Sequence, residues 1–372
     1  MTMTRYLSIL LLLLAFVVQS AEFKIAKPGF IPVFPRDHGS HPDYRIEWWY
    51  LTGHFHSQET QQRFGYQATW FRVAVDPNEP QSAPPTESFK QDQLHLAHMA
   101  VLDAETGTFV HEERFQRANW DTHASTTDLD LRNGNWTLKR ETSPTEHFQL
   151  KGSVKADAWF DFTLTPAKPL VQFGENGISR KGDSPSAASI YLTYPRLELS
   201  GQIEIQGKRH TVTGQSWMDH EISSSQLGAD QIGWDWASIQ LDDGRELMIY
   251  LLRKADGTFS QWSRLYWINE DSKTSALESH QFQWKPTKEW TSPETGATYP
   301  THIQLTVPDS KTGKEVTLHL NPVALNQEMI GKLGGINYWE GACDVLDENK
   351  NPIGKAYIEL TGYDGKLADR LR

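Results

Sequence analysis

An acid–imidazole–acid run, Asp219-His220-Glu221, has the residue types in this chain that are best suited to acid–base chemistry. A carboxylic acid that burial keeps neutral can deliver a proton, a histidine can activate water, and aromatic faces can stabilise a carbocation. The same stretch, residues 213–252, contains three tryptophans: Trp217, Trp234 and Trp236. With Asp219 as the acid, His220 as the water activator and Trp234 or Trp236 as the cation-stabilising wall, these residues form a chemically coherent set for adding water to an unactivated alkene.

Side-chain direction along a strand limits how these groups can cooperate. Both halves of the stretch have the composition of β-strands, and a polar loop, residues 223–231, joins them. Asp219 and Glu221 have the same parity, so they can share a face and raise each other's pKa, whereas His220 points to the opposite face of a regular strand. Only a bulge would bring all three groups together. The alternative is a hydrogen-bonded network with a structural role at an interface between barrels.

The elements that must position this stretch are strands. Residues 47–55, EWWYLTGHF, alternate with period two and place Glu47 and Trp49 on one face. The next strand contains Arg72, which we expect to pair with Glu47. Amphipathic helical pattern is nearly absent from residues 22–170, and Gly, Asn and Asp turns recur at short intervals. The fold class is therefore predicted to be all-β, an antiparallel barrel or sandwich.

The aromatic residues on the inward faces of such a barrel can have either of two roles. They can line a lumen that holds a small apolar ligand, or they can fill it as packed core. We expect a lumen that holds a ligand, because small barrels are the usual hosts of enclosed apolar pockets. The predicted ligand-binding residues are aromatic and acidic positions of these strands: Glu47, Trp49, Trp70, Trp217, Trp234 and Trp236.

The chain is predicted to consist of a leader and two domains. Residues 1–21 have a basic Arg5, an apolar run too short to span a bilayer comfortably, and small residues before the cleavage point. This pattern predicts a secretory signal peptide, with an uncleaved membrane anchor as the alternative, and the expected location is the periplasm. A polar segment rich in Gly and Ser, residues 174–188, separates the predicted domains, residues 22–180 and 181–372.

Composition argues against several classes of function. The net charge is −11 and no basic block is present, so nucleic acid is not an expected partner. The single cysteine, Cys343, excludes an internal disulfide and is expected to be a small buried hydrophobe. His54 and His56 share a strand face but lack an evident third ligand, so neither a metal nor a cofactor is expected. The chain has no Gly-x-Ser-x-Gly sequence, which argues against a serine hydrolase.

The chain resembles the family that groups carotenoid 1,2-hydratases with AttH-like proteins in these motifs: EWWYLTGHF, FGYQATWFR, HLAHMAVLD, GQSWMDHE, GWDWASIQLDDGRELMIYLLR and YWEGACDV. Many members of this family carry the label predicted secreted hydrolase. The resemblance covers residues 24–370 and implies two tandem lipocalin-like β-barrels. It also implies a long apolar ligand, a lipid or isoprenoid, which is handled by a hydratase or by a non-enzymatic carrier associated with an ABC-type export system.

The hydratase motif His-Asp-His-Asn corresponds to residues 218–221, which are Met-Asp-His-Glu here. Asp219 and His220 match this motif, whereas its first histidine and its asparagine are missing. The hydratases also have an acid two residues after a tyrosine of the following strand; Tyr250 is present, and Leu252 replaces the acid. The matches favour an enzyme, and the departures favour a carrier. For an enzyme, the candidate catalytic residues are the matching positions and their neighbours: Asp219, His220, Glu221 and Tyr250.

Overall fold

A computed structural model describes most of the chain: residues 22–74, 93–225, 227–228, 230–333 and 335–365. The predicted signal peptide, residues 1–21, lies outside these ranges. The described residues form two antiparallel β-sheets, and a short 3₁₀ turn, Arg36–His38, precedes the first strand. No helix among these residues has the length and apolar character needed to cross a membrane. The predicted all-β fold class is confirmed.

The first sheet contains thirteen strands and curls into a nearly closed barrel. Its strands, in chain order, are β1 (Ile46–Ser57), β2 (Arg63–Ala74), β3 (Gln93–Asp103), β4 (Thr108–Arg117), β5 (Thr122–Ala124), β6 (Asp130–Asn133), β7 (Trp136–Glu141), β8 (His147–Val154), β9 (Ala158–Pro166), β10 (Val171–Phe173), β11 (Ser179–Arg180), β12 (Ala188–Ile205) and β13 (Lys208–Ser223). The hydrogen-bonded order is β4-β3-β2-β1-β13-β12-β9-β8-β7-β6-β5, and β10 and β11 both pair with β12. The candidate strand β13 therefore has a partner on each side.

The second sheet contains ten strands and forms a half-barrel. Its strands are β14 (Gln231–Leu241), β15 (Glu246–Lys254), β16 (Arg264–Ile268), β17 (Thr274–Glu278), β18 (Gln283–Thr291), β19 (Thr298–Pro308), β20 (Glu315–Pro322), β21 (Glu328–Ile330), β22 (Asn337–Leu346) and β23 (Pro352–Thr361). Their order is β17-β16-β15-β14-β23-β22-β20-β19-β18, and β21 pairs with β22. The structure thus has two barrel-like sheets in tandem, and the second one is only half closed.

The change from one sheet to the other comes later in the chain than the predicted boundary between residues 180 and 181. Strands β12 and β13 follow that boundary, yet β12 pairs with β9, and β13 pairs with β1. The polar segment 174–188 is therefore a connection inside the first sheet, and the sheets change between Ser223 and Gln231. Composition indicates a loop at both places, but it does not show which strands pair across each loop.

The interior of the first barrel is filled by packed side chains. Trp49 and Leu51 of β1 and Trp70 of β2 belong to one continuous cluster of buried apolar residues. Trp49 is 1% exposed and Trp70 is 4% exposed. Strand alternation turns these side chains inward and turns Trp48 and Tyr50 outward. Trp49 and Trp70 are therefore part of a packed core, and protein side chains fill the lumen around them.

The outer face of the first sheet packs against the second sheet. Tyr50 Oη donates a hydrogen bond to Glu340 Oε1 of β22 at 2.5 Å. Glu246 of β15, in the second sheet, forms ion pairs with Lys168 and Arg196, each at 2.7 Å. Both of these cations belong to the part of the chain that forms the first sheet. The strands at this contact are buried on both faces, which explains why their sequences read as nearly continuous apolar runs.

Candidate functional site

A cavity of about 280 Å³ lies between the two sheets. The first sheet contributes side chains from β1 to β4, β12 and β13, and the second contributes them from β14, β15, β22 and β23. Much of the wall is apolar or aromatic, including Trp48, Phe71, Leu96, Trp234, Trp236 and Leu252. The acidic and lysine side chains of the wall are Lys181, Asp219, Glu221 and Glu359. An apolar wall with a few convergent polar groups is the usual composition of a small-molecule site.

Asp219 is held by three neutral donors. Tyr191 Oη donates to its Oδ2 at 2.7 Å, and Thr193 Oγ1 and Trp217 Nε1 donate to its Oδ1 at 2.6 and 2.8 Å. Trp236 Nε1 of the second sheet donates in turn to Tyr191 Oη at 2.9 Å. A hydrogen-bonded chain therefore runs from β14 to the Asp219 carboxyl, so the position of this carboxyl depends on both sheets.

Two carboxyls of the wall can hold a proton at neutral pH. Burial, together with a smaller effect of the nearby Glu221 charge, raises the pKa of Asp219 to about 7 against its three hydrogen bonds. Burial also raises the pKa of Glu359 to about 7, although Trp234 Nε1 donates to its Oε2 at 3.3 Å. The charges of Asp219 and Glu221 act on Glu359 in the same direction. A carboxyl with a pKa near 7 is suited to general acid–base work.

Lys181 lies against an acid and two aromatic rings. Its Nζ is 3.2 Å from Glu221 Oε1, which also accepts a hydrogen bond from Ser189 Oγ at 2.7 Å. The same Nζ lies 3.9 Å from the ring centre of Tyr250 and 4.9 Å from that of Tyr191. Burial raises the pKa of Tyr250 to about 12, so its hydroxyl keeps its proton at neutral pH. This end of the cavity therefore places an ammonium between a carboxylate and aromatic faces.

Asparagine in place of Asp219 should change how stability depends on pH. The folded wild type keeps the Asp219 proton up to about pH 7, whereas the unfolded chain releases it near the ordinary pKa of 3.8. This group therefore lowers the free energy of unfolding as the pH rises between these two values, and asparagine removes the effect. Relative to the wild type, Asp219→Asn is expected to gain about 3 kcal/mol between about pH 5 and about pH 8 in denaturant unfolding.

The exposed Asp256→Asn variant is the control for this prediction, because its carboxyl lies in solvent and outside the cavity. It removes the same chemical group, so its unfolding should show no such gain with rising pH. If Asp219→Asn also shows none, the Asp219 carboxyl is ionised throughout this range and is not a proton donor at neutral pH.

His220 lies on the opposite face of β13 from Asp219 and Glu221. Its Nε2 is 2.8 Å from Glu47 Oε1, and its ring stacks on Trp49 at 4.6 Å inside the first barrel. The pairing of β13 with β1 has no register shift, so no bulge turns the imidazole toward the cavity. The structure therefore brings the two acids together on one face and keeps His220 apart from them.

A buried polar network surrounds Glu47. His41 Nδ1 and His220 Nε2 each lie 2.8 Å from its Oε1. Arg72 Nε donates to its Oε2 at 3.1 Å, as the strand pattern predicts. Burial alone would raise the pKa of Glu47, but the hydrogen bonds to both histidines and the charges of His41 and Arg72 hold it well below its usual range. Glu47 is therefore the ionised centre of this network.

The same network contains the described residues whose spacing would suit a metal ion. Ligand atoms of His41, Glu47 and His220 all lie within 4.8 Å of one another. Glu47 Oε1 already joins both imidazoles, however, and the guanidinium of Arg72 would repel a second cation. The geometry is that of a hydrogen-bonded network with a structural role.

The predicted site residues therefore occupy three places. The cavity wall contains Asp219, Glu221, Trp234, Trp236 and Tyr250. The interior of the first barrel contains Glu47, Trp49, Trp70 and His220. Trp217 lies behind the wall, where it donates to Asp219 and meets Trp236 edge to face at 6.2 Å.

Three further residues of the site escape sequence-based prediction: Lys181, Tyr191 and Glu359. Lys181 belongs to a polar segment that has the composition of a linker. Glu359 interrupts the apolar run of residues 356–360, and this signal could have identified it, because an acid inside such a run needs a reason to be there. Tyr191 gives no comparable signal, because tyrosine is common in strands.

The chain matches known proteins over most of its length. A family model described as AttH-like matches residues 26–363. The crystal structure of a Nitrosomonas europaea protein assigned as an AttH is similar, with a TM-score of 0.80 and 33% identity, over 92% of this chain and 100% of that one. The crystal structure of kievitone hydratase from Nectria haematococca has a TM-score of 0.66 at 15% identity, over 93% of this chain and 98% of that one. At that identity, the likeness shows the fold alone.

A shorter match concerns the ceramide-binding protein svf1 of Schizosaccharomyces pombe. It is 26% identical over 98 residues, which are 26% of this chain and 26% of that protein. The match therefore spans about a quarter of the length of that relative. The family model, in contrast, covers nearly all the described residues, and the Nitrosomonas europaea structure agrees with it. The chain belongs to the AttH-like family.

Proposed function

We propose that the protein binds a largely apolar small molecule, a lipid or an isoprenoid, in the cavity between its two sheets. The observation that carries this proposal is the wall, in which aromatic and aliphatic side chains of both sheets surround a few charged groups. Such a wall suits a ligand with an apolar body and one polar group. The names of two similar proteins, kievitone hydratase and ceramide-binding protein svf1, support a small-molecule ligand of this kind.

The strand order separates the polar and apolar parts of the wall. Asp219 and Glu221 lie on β13, whereas Phe71 and Leu96 lie on β2 and β3, farther along the same sheet. The volume of about 280 Å³ is close to the lower end of the range for ligand sites, roughly 300–1,000 Å³. The cavity therefore suits a short isoprenoid, or one end of a longer chain, with its polar group toward β13.

Tryptophan in place of Leu96 is expected to displace the apolar ligand. Leu96 lines the apolar part of the wall, so the larger side chain takes volume that the ligand body needs. We expect affinity for a bound lipid to fall by about tenfold or more, which corresponds to a loss of at least about 1.4 kcal/mol. Native mass spectrometry with lipid extraction, on protein purified without detergent, measures the bound fraction.

Leu325→Trp is the matched control, because it makes the same exchange at an exposed side chain outside the cavity wall. This variant should bind as the wild type does. A wild-type protein that carries no ligand and takes up nothing from a panel of lipids and carotenoids would contradict the proposal. The aromatic residues of the cavity would then serve as packing between two structural sheets.

Hydration of a carbon–carbon double bond is the second candidate function, and the raised pKa of Asp219 favours it. The Asp219 proton would add to one alkene carbon, and the π electrons would form that C–H bond and leave a carbocation on the other carbon. The faces of Trp234 and Trp236 would stabilise this cation. Water would then form the C–O bond and give a proton to Glu359, and transfer of a proton back to Asp219 would restore the acid.

The other predicted catalytic residues have different roles in this proposal. His220 cannot activate the water, because it lies on the far face of β13 and is bonded to Glu47. Glu221 is paired with Lys181, and Tyr250 keeps its proton, so both would hold the polar group of the ligand in place. Glu359 would therefore act as the base, which is the role that the sequence predicts for His220.

A non-enzymatic carrier that delivers the same ligand to an ABC-type export system is the alternative. Met218 and Leu252, which stand where the hydratase motif has other residues, favour it. For either activity we propose a periplasmic location, on the basis of residues 1–21. Incubation with isoprenoid alkenes in ¹⁸O-labelled water separates the two activities, because an enzyme forms a labelled alcohol and a carrier returns the ligand unchanged.

A further inference from the structure

We infer that the polar part of the cavity is a cation site, and that the ligand is an amphipathic amine or quaternary ammonium compound with an apolar tail. This inference rests on the proposed function, because it assigns the head group of an apolar ligand in the same cavity. It is carried by the charge balance of the wall, by a cross-strand pair of acids, and by the way the protein holds its own lysine.

Acids outnumber cations in the polar part of the wall. Asp219 and Glu221 reach it from the first sheet and Glu359 from the second. Lys181 is the lysine among the described wall residues, and its Nζ is 3.2 Å from Glu221. The described ion pairs include neither Asp219 nor Glu359, whose hydrogen bonds come from neutral hydroxyl and indole groups. Two carboxyls of the wall therefore lack a positive partner within the described part of the chain.

A fourth carboxyl stands beside Glu359. Glu340 of β22 is directly opposite Glu359 of β23, so both side chains project from the face of the sheet that forms the wall. Burial and the charge of Glu359 raise the pKa of Glu340 well above its usual range, so the two acids are not ionised together in the absence of a positive partner. Glu340 is fully buried, and while its Oε1 accepts the hydrogen bond from Tyr50, its Oε2 has no partner. Two opposed acids, one in the wall and one behind it with an unsatisfied oxygen, form a place that a positive ligand would stabilise.

The lysine of the wall shows how an ammonium is accommodated here. Lys181 Nζ lies over the ring of Tyr250 and near that of Tyr191, with the Glu221 carboxylate on the same ammonium. Trp234 and Trp236 offer further rings to the cavity. Aromatic faces combined with carboxylates are the arrangement by which proteins bind quaternary ammonium groups. The ligand would repeat, at Asp219 and Glu359, the contacts that Lys181 makes at Glu221.

Other head groups fit this part of the cavity less well. An anionic head group would meet the Glu221 carboxylate, whose charge Lys181 already balances, and two carboxyls that become negative when they ionise. The low dielectric of a buried site strengthens that repulsion, whereas a cation favours the ionised forms of Asp219 and Glu359. A hydroxyl can form hydrogen bonds with the carboxyls, but it supplies no opposite charge. The aliphatic and aromatic side chains of β2 and β3 remain as the place for the tail.

Three compounds with the same eight-carbon tail test the inference: octyltrimethylammonium, octanol and octyl sulfate. We expect the ammonium compound to bind the wild type at least about tenfold more tightly than octanol, and octyl sulfate to bind most weakly. Isothermal titration calorimetry at neutral pH, below any micelle concentration, measures the three dissociation constants. The short tail keeps the comparison within the volume of the cavity.

Two charge-removing variants locate the effect. Glu359→Gln and Asp219→Asn keep the shape of the side chain but cannot ionise beside a bound cation, so each should lower the ratio of ammonium affinity to octanol affinity by about tenfold. The ratio is taken within one variant, which separates head-group recognition from any general loss of binding. Glu348→Gln changes an exposed acid outside the cavity wall and should keep the wild-type ratio.

The outcomes separate the inference from the proposed function. If none of the three compounds binds, the apolar ligand site itself is disproved. If octanol or octyl sulfate binds as tightly as octyltrimethylammonium, the apolar site stands and the cation site is overturned. The cation site is also overturned if both Glu359→Gln and Asp219→Asn keep the wild-type affinity ratio, because the ammonium preference would then come from elsewhere.

Discussion

Replacement of Glu47 by glutamine is expected to lower the free energy of unfolding by about 3–5 kcal/mol, the typical cost of removing one partner of a buried ion pair. Glu47 is fully buried, and its carboxylate meets His41, His220 and Arg72. Glutamine keeps the shape but removes the charge, and its amide group brings donors to a place where donors already converge. Arg72, which is 2% exposed, would then keep a buried charge without its counter-charge.

Denaturant unfolding monitored by circular dichroism measures this loss. The exposed Glu348→Gln variant is the control and should stay within about 0.5 kcal/mol of the wild type. The double variant Glu47→Leu with Arg72→Met should regain much of the stability, because it leaves no unpaired charge in the core. A loss below about 1 kcal/mol for Glu47→Gln, as for an exposed pair, would contradict the structural role of the network.

If the protein has the proposed hydratase activity, asparagine in place of Asp219 is expected to slow hydration by about 10²–10⁴-fold, the usual contribution of a general acid, while the proposed ligand is still retained. Asparagine cannot deliver a proton, but it keeps the size of the side chain and one acceptor for the three donors around it. Mass spectrometry of the ¹⁸O-labelled alcohol gives the rate of turnover. Lipid extraction of the same protein gives the amount of ligand retained.

Asp235→Asn is the matched control for turnover. Asp235 is also a buried aspartate with a raised pKa, but its carboxylate pairs with Arg253 at 2.9 Å and lies outside the cavity wall. The folded fraction of this variant should keep its turnover. If Asp219→Asn keeps wild-type turnover, the role of acid passes to Glu359, and Glu359→Gln tests it. If Asp219→Asn instead loses the ligand while it stays folded, Asp219 is a binding group.

Much of what the sequence predicts correctly follows from the alternation of side chains between the two faces of a strand. The alternation of residues 219 to 221 separates Asp219 and Glu221 from His220, and the structure keeps that separation because the pairing with β1 is regular. The partnership of Glu47 with Arg72 also follows from parity, because the two residues are directly opposed on neighbouring strands. Local periodicity is enough for such predictions, since it depends only on strand geometry.

The remaining features of the fold and the site depend on which distant strands pair with each other. The sequence contains little information about this pairing. Strands such as β1 are apolar on both faces, so the pattern does not reveal which face fills the barrel and which meets the second sheet. For this reason Trp49 and Trp48 have similar sequence contexts but different surroundings. Glu359 comes from the far end of the chain, and only the pairing of β23 with β14 places it near Asp219.

The cavity has walls from both sheets, so retention of the proposed ligand would depend on the integrity of the whole molecule. If a site lies within one domain, the other domain can unfold without releasing what is bound. Here the opening of either sheet removes half of the wall, including its aromatic faces or its acids. A bound ligand stabilises only the closed pair, by the linkage between binding and folding. Any event that parts the sheets, such as docking to a partner or cleavage of one half, would therefore act as a release signal.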